Sequence, residues 1–512
     1  MKNVLEYIEN SVVLHSGKTA VDDGEKSFNY MELMVEAMKI GSSLLKVLIE
    51  NEDSDSINNT IDYGQRPIVI FADKSSMTLA AMLGVVYSGN FYVIINPEQP
   101  EERIKSIFQI LQPMIVVTTE HDAAKITQCG NDFRVLFINE LVKGEIDEVR
   151  LKQVRERTGS SDILYCVFTS GSTGKPKGIV TTHQAVLDVI DCFVDIFDIT
   201  SRDIMANQAP FDFDVSVKDI YGALAAGASI VIIPKRYFAS IGVLMDYLCS
   251  KNVTVLVWAV SALCLVSSMK GLEYRKPENI RMIMFSGEVM PDKELQKWMK
   301  AFPDVTYVNL YGPTEITCHC TYHMFKKDNK PEIGMPLGEA FPGRQVFLVD
   351  DEMRLITESG KKGEIFVSGN SLARGYYNMP ELTEESFIEY RIDERNFGRT
   401  YRTGDIGYYG DDGMLRFSGR KDFQIKVMGH RIEIEEIELA VSSLEEVSRC
   451  CCVINKKGKL CAYFTGDIEP QELHMRLKAL LPDYMIPAKQ IRVRDMPMNK
   501  NGKIDRKYFA NV

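Results

Sequence analysis

The sequence predicts an α/β protein. A large N-terminal domain of mixed, mostly parallel sheets is flanked by helices and carries a β-rich subdomain. A small α+β C-terminal domain follows. Three observations carry this. Apolar β-rich runs alternate with helical stretches up to about residue 340, the pattern of parallel strands joined by crossover helices. The texture then changes to short strands separated by Gly and Asp turns. Past "GRKDFQ" (419–424) come a helical stretch, a Lys-Gly turn between apolar runs, and a second helix.

Taken in order, "PIVIFAD" (67–73), "FYVIIN" (91–96), "MIVVTTE" (114–120), "VLFIN" (135–139), "SIVIIP" (229–234) and "VTVLVWA" (253–259) read as strands buried on both faces. Between the first of them lie helices at "SSMTLAAMLGVVYSG" (75–89) and "PEERIKSIFQIL" (100–111), with Pro100 expected at the first helical position. The polar, aperiodic "ENEDSDSINNTIDYGQ" (50–65) reads as an exposed loop. "RQVFLVDDEM", "KGEIFVSG" and "GMLRFSG" supply the β-rich subdomain. The expected boundary divides 1–419 from 420–512. Past it, "IEEIELAVSSL" and "PQELHMRLKALL" read as helices around the apolar "CCVINKKGKLCAYFT".

With 512 residues the chain is too long for one ordinary core. A hydrophobic content of 45% with 26% charged residues is that of a globular protein, and the net charge of −11 argues against a nucleic-acid or membrane-coating role. The N-terminus lacks the apolar core and small-residue cleavage site of a signal peptide, and the longest apolar run (253–266) is too short to span a bilayer. Eleven scattered cysteines, an odd number, suit a reducing cytosol. Cys318/Cys320 and Cys450–Cys452 lack the second ligand pair that a zinc site needs, so they are expected as buried thiols.

The most distinctive stretch is "FTSGSTGKPKG" (168–178), directly after the apolar "ILYCVF". Hydroxyls, lysines and glycine-freed backbone N–H groups make a site for polyphosphate oxygens. It is not a Walker loop, because Pro176 and the strand-like "GIVTTH" follow Gly174-Lys175 where a helix should open. In "NLYGPTEIT" (309–317) an aromatic can stack on a base, while Thr314 and Glu315 suit phosphate and a divalent cation. "YRTGDIG" (401–407) sets Asp405 after a Gly turn, ready to accept ribose hydroxyl protons. "GRKDFQIKVMGHRIE" is basic, and "NKNGKIDRK" (499–507) puts a lysine on a tight turn.

These five strings, in this order, resemble the adenylate-forming superfamily of acyl- and aryl-CoA ligases, luciferases and nonribosomal-peptide adenylation domains. The resemblance runs from about residue 10 to 510. It is strongest to amino-acid activators: "NQAPFDFDVSVKDIYGALAAGA", "FSGEVMP" and "YMIPAKQ" with "NGKIDRK" are similar to D-alanine:carrier-protein ligases. The resemblance implies formation of an aminoacyl-AMP from ATP and Mg²⁺ with loss of pyrophosphate, then transfer to a phosphopantetheine thiol. It also implies that the C-terminal domain is mobile.

The resemblance further implies that Thr169, Ser170, Gly171, Ser172, Thr173, Gly174, Lys175 and Lys177 hold the β- and γ-phosphates. Tyr311 would stack on adenine, Thr314 contact the α-phosphate, Glu315 hold Mg²⁺, and Asp405 bind the ribose with Arg420 beside it. Lys503 would bridge the substrate carboxylate and the α-phosphate, an electrostatic role that bringing two anions together demands. Asp422 matches the hinge; rotation there would withdraw Lys503 and present Gly429–Arg431 for the thiol step, with Arg431 counted among the catalytic residues.

Asp214 matches the carboxylate that pairs with the substrate α-ammonium, with Asp212 as the neighbouring alternative. Val215, Lys218, Val257, Met284, Ser286, Leu310, Cys318 and His319 would line the side-chain pocket. Lys218 and Ser286 depart from the D-alanine ligases, which carry an apolar residue and a cysteine there. Either Lys218, with His319, meets a carboxylate or amide of the substrate, or it snorkels outward over a pocket for something small. The chain stops just past Lys503, so the expected thiol acceptor is either a separate carrier protein or a carrier domain beyond this sequence; a monomeric cytoplasmic enzyme with no nucleic acid and no membrane insertion is expected. An acyl- or aryl-CoA ligase and a non-catalytic AMP-binding protein are the rival readings.

Overall fold

A computed structural model describes residues 1–50, 65–130, 132–171, 174–325, 335–392, 397–498 and 504–511. The predicted polar loop therefore falls almost wholly outside the described residues, at 51–64. Two large sheets organise the first 420 residues. One runs in the order Gly375–Tyr376, Lys177–Thr182, Ile163–Thr169, Phe91–Ile95, Pro67–Phe71, Ile115–Thr118, Arg134–Phe137. From Ile163–Thr169 onward its neighbours are parallel. The other begins with a parallel block, Thr19–Asp22, Ser229–Ile232, Ile204–Asn207, Val255–Ala259, Met282–Ser286 and Thr306–Tyr311. It continues antiparallel through Thr321–Phe325, Pro336–Ala340, Leu415–Arg420, Phe397–Tyr409, Lys362–Gly369 and Arg344–Val349.

The apolar runs are continuous because helices cover both faces of these strands: Ile68, Val69, Ile70 and Phe71 are all fully buried. Arg134–Phe137 departs from this expectation. It is the edge strand, only partly buried, and the chain turns into a short helix at Ile138–Leu141. Pro100 is the N-cap of the Glu101–Leu111 helix rather than its first residue. The other predicted strands and helices stand within a few residues of their expected bounds.

Beyond Arg420 the chain forms a hairpin, Gln424–Val427 with His430–Glu433, then the Ile434–Ser442 helix. A three-stranded sheet of Val447–Ile454, Leu460–Gly466 and Lys489–Arg492 follows, with the Pro470–Leu480 helix packed on it. "CCVINKKGKLCAYFT" is thus a hairpin about the Lys-Gly turn. Two apolar clusters here draw only on residues after Arg420. Parallel sheets bind ligands at their C-terminal strand ends. Here Ser286 and Tyr311 end such strands, and residues of the Gln424–Glu433 hairpin close the cavities beside them.

Candidate active site

The phosphate-loop candidate joins two antiparallel strands, Ile163–Thr169 and Lys177–Thr182, with Thr169 opposite Lys177. It is therefore the strand–loop–strand unit that Pro176 foretold. A Cβ on Gly171 would stand 2.1 Å from the Lys175 carbonyl oxygen, so only glycine lets the loop fold back on itself. Thr169 Oγ1 is buried without a hydrogen-bond partner, an open polar group in a cradle suited to phosphate oxygens. Ser170 donates to the Arg431 carbonyl at 2.9 Å and accepts the Glu433 N–H at 3.2 Å. Gly174 has φ +78° and faces Leu439. Lys175 is exposed; Lys177 is buried, 3.5 Å from Glu315. Ser172, Thr173 and Lys503 lie outside the described residues.

Glu315 follows the rigid Gly312-Pro313 turn on a 3₁₀ turn, Thr314–Ile316, and is fully buried. Arg431 Nη1 donates to both its carboxylate oxygens, at 2.9 and 2.7 Å, and the Tyr376 hydroxyl donates at 2.9 Å. Burial alone would raise the Glu315 pKa, but Arg431 and then Lys177 hold it far below the usual carboxylate range. A divalent cation needs open oxygen donors. In this arrangement Glu315 offers none, so its residues do not fit a metal ion while Arg431 is in place.

Beside it, the Tyr311 hydroxyl donates to Asp405 at 2.6 Å, and Arg420 pairs with both Asp405 and Asp422. Tyr311, Asp405 and Arg420 line a cavity of about 650 Å³, with Glu288 and Asn309 on one wall and Ile454 and Arg506 on the other. That volume is ample for a nucleoside. The Gly429 N–H donates to Glu288 at 2.7 Å, which fixes the turn that delivers Arg431.

A smaller cavity of about 80 Å³ opens between the loop, Thr314, Asp214, Val215, Ser286 and His319. Asp214 is buried, and Lys218 lies one turn further along, on the Ser216–Ala226 helix, on the same face. Lys218 does not snorkel outward: it is 1% exposed, and its Nζ has no hydrogen-bond partner. Burial lowers its pKa against the pull of Cys318, Asp219 and Asp214. The His319 Nδ1 is likewise unpartnered, and burial keeps that imidazole neutral. Lys218 itself does not line this cavity, and Val257, Met284, Leu310 and Cys318 pack in the apolar cluster beneath rather than on its wall. Cys318 donates its thiol to the Asp214 carbonyl at 2.9 Å. Asp212 reaches the same cavity but faces Gln99 and Arg103, and burial pushes its carboxyl up to about 6.

Three residues were missed in the sequence. Lys426 reaches into both cavities near Asp405 and Asp214; strand alternation in "QIKV" was the available signal. Glu288 and Tyr376 carried none, because their partners are remote in sequence. All eleven cysteines are free, and among the described residues no group of three or more His, Cys, Asp or Glu could hold a metal. No helix among them is long and apolar enough to cross a membrane.

The family model for "AMP-binding enzyme" matches residues 8–377. A D-alanine--D-alanyl carrier protein ligase of Listeria monocytogenes is 32% identical over 501 residues, covering 94% of this chain and 93% of that one. Tyrocidine synthase 1 of Brevibacillus parabrevis is 28% identical over 515 residues, 99% of this chain. The chain spans only 44% of the length of that synthase. In fold, the chain is similar to the Vibrio cholerae adenylation domain AlmE in complex with glycyl-adenosine-5'-phosphate. The TM-score is 0.84 at 21% identity, covering 99% of this chain and 97% of that one. With its Gly-rich hairpin loop and its Glu315 turn, the chain belongs to the AMP-binding enzymes, the adenylate-forming superfamily that its motifs resemble.

Proposed function

We propose that this adenylate-forming ligase activates an amino acid with a polar or acidic side chain and passes it to the phosphopantetheine thiol of a separate carrier protein. One observation carries the substrate class: Lys218 Nζ is buried and unpartnered one helical turn from Asp214. A buried cation without a hydrogen-bond partner is costly, and the nearby Asp219 and Asp214 offset only part of that cost. A substrate whose ammonium meets Asp214 and whose side-chain carboxylate or amide meets Lys218 would offset that cost. His319 would help to hold the same group.

In the first half-reaction the substrate carboxylate attacks the α-phosphorus of ATP. A P–O bond forms to the acyl oxygen, and the bond to the departing pyrophosphate breaks. Thr169, Ser170 and Lys177 would hold the terminal phosphates, Thr314 the α-phosphate, Tyr311 and Asp405 the nucleoside, and Lys503 the two approaching anions. Mg²⁺ would supply further charge neutralisation, held by Glu315 once Arg431 has withdrawn. In the second half-reaction the thiol attacks the acyl carbon, and AMP leaves. The seating of Gly429–Arg431 against Glu288 and Glu315 supports reading this arrangement as the one for transfer, with residues 420–512 turning about Asp422 between steps.

Amino-acid-dependent ATP–pyrophosphate exchange tests the proposal, run over all L-amino acids plus D-alanine, D-aspartate and D-glutamate. Strong exchange with an acidic or amide side chain supports it. The second reading is D-alanine activation, favoured by the carrier-protein ligase that matches along nearly its whole length. Exchange with D-alanine alone would establish that reading and leave Lys218 a bystander.

A further inference from the structure

Arg103 and Glu436 are 333 residues apart in sequence and meet at 2.5 Å, each side chain 6% exposed. Arg103 stands on the Glu101–Leu111 helix beside the first sheet; Glu436 is in the first turn of the Ile434–Ser442 helix. That helix follows directly on the strand His430–Glu433, which carries Arg431. Around the pair, the Tyr484 ring stacks on His430 with centroids 3.8 Å apart and planes 13° apart. The edge of His430 in turn meets Phe213 at 4.6 Å. Two faces are thus joined, one built from residues before Arg420 and one from residues after it.

We propose that Arg103 and Glu436 form a docking latch, a positioning pair that holds Arg431 on Glu315 during thiol transfer and opens for adenylation. This rests on the two-step reading above. Neither side chain lines either cavity, so neither touches reacting atoms. The pair is buried only while the two faces are together; on separation both charges return to water. Within the docked state, removal of Arg103 leaves the Glu436 carboxylate buried without its cation, and removal of Glu436 leaves Arg103 only the neighbouring Asp212, so a single substitution favours undocking. The Tyr484–His430 stack and the His430–Phe213 edge contact add directional contact but no charge, and on the latch reading the ion pair carries the selectivity for this one orientation.

The test compares wild type with Arg103→Met, Glu436→Gln and the exchanged pair Arg103→Glu/Glu436→Arg. ATP–pyrophosphate exchange reads adenylation, using the amino acid that exchanges best. Single-turnover transfer from the preformed adenylate to pantetheine reads the second step. Hydrogen–deuterium exchange of 434–442 reads docking without catalysis. Expected are transfer at least tenfold slower in each single variant, pyrophosphate exchange within twofold of wild type, lost protection of 434–442, and partial recovery of both in the exchanged pair. Equal loss of both half-reactions with a lowered melting temperature would overturn the latch and leave a merely structural ion pair. Unchanged protection in both single variants would also overturn it. If wild type exchanges with no amino acid, the two-step reading falls, while deuterium exchange still decides the docking role.

Discussion

Arg431 closes on Glu315 through both carboxylate oxygens, at 2.7 and 2.9 Å, across 116 residues of sequence. This contact draws the Gln424–Glu433 hairpin onto the phosphate-loop sheet. Removing Arg431 leaves a buried carboxylate facing only Lys177 and the Tyr376 hydroxyl, a loss of about 3–5 kcal/mol from the docked arrangement. Arg431→Ala is expected to slow thiol transfer about a hundredfold while adenylation survives. Lys503→Ala is expected to do the reverse. Pyrophosphate exchange set against single-turnover transfer separates the two; parallel losses would remove the division of labour.

Lys218→Met deletes a buried charge whose Nζ has no hydrogen-bond partner. Substrate preference is expected to move from acidic or amide side chains toward small apolar ones. An unaltered profile in the exchange panel would show that Lys218 does not read the side chain.

Asp214→Asn keeps the shape of the proposed α-ammonium partner and removes its charge. A hydrogen bond to a charged group is worth about 1.5–3 kcal/mol, so KM for the amino acid is expected to rise roughly 10- to 100-fold. KM for ATP is expected to stay within about threefold. Steady-state kinetics with each substrate varied in turn checks this, and an unchanged KM moves the ammonium contact elsewhere.

Gly171→Ala would force a Cβ to within 2.1 Å of a backbone oxygen, and backbone cannot rotate away as a flexible side chain can. The loop must open. KM for ATP is expected to rise at least tenfold with little change in amino-acid affinity. A wild-type KM for ATP would show that the loop does not hold the triphosphate in this form.

His183 is 1% exposed, its Nδ1 3.4 Å from the Val4 N–H, and burial, with Arg155 nearby, holds its pKa down at about 3. The unfolded chain takes up this proton near 6.5 and the folded one does not, so the unfolded state binds more protons between those values. Stability from the neutral ring is whole above pH 6.5 and falls as pH drops toward 3, by about 1.4 kcal/mol per unit. In a melting series from pH 8 to 4.5, His183→Gln should show a shallower decline than wild type. Equal slopes would mean that His183 is protonated in the fold.

Much of this was legible before any tertiary contact. Strands such as Pro67–Phe71 and Val255–Ala259 announce themselves because burial on both faces writes an unbroken apolar run. The phosphate-loop hairpin was readable because Pro176 forbids a helix where a Walker loop needs one. The strand at Arg134–Phe137 was expected, but its burial on both faces was not met: Val135, Leu136 and Phe137 are apolar enough for a core, and only assembly shows that no strand flanks its far side among the described residues.

The candidate site divides the same way. Glu315 and Asp405 could be named from the residue types of their own strings, and Asp214 and Arg431 from the resemblance that those strings carry. Their pairing could not. That Arg431 neutralises Glu315, that Tyr376 donates to it, and that Arg103 meets Glu436 depend on contacts between segments tens to hundreds of residues apart. Whether Lys218 snorkels or stays buried was likewise undecided by its own neighbours. The Ser216–Ala226 helix is enclosed on every side, so the lysine has no path to water. Local sequence determines which chemistry a segment can offer. Solvent exclusion, set by the assembled sheets, determines which charges must find one another.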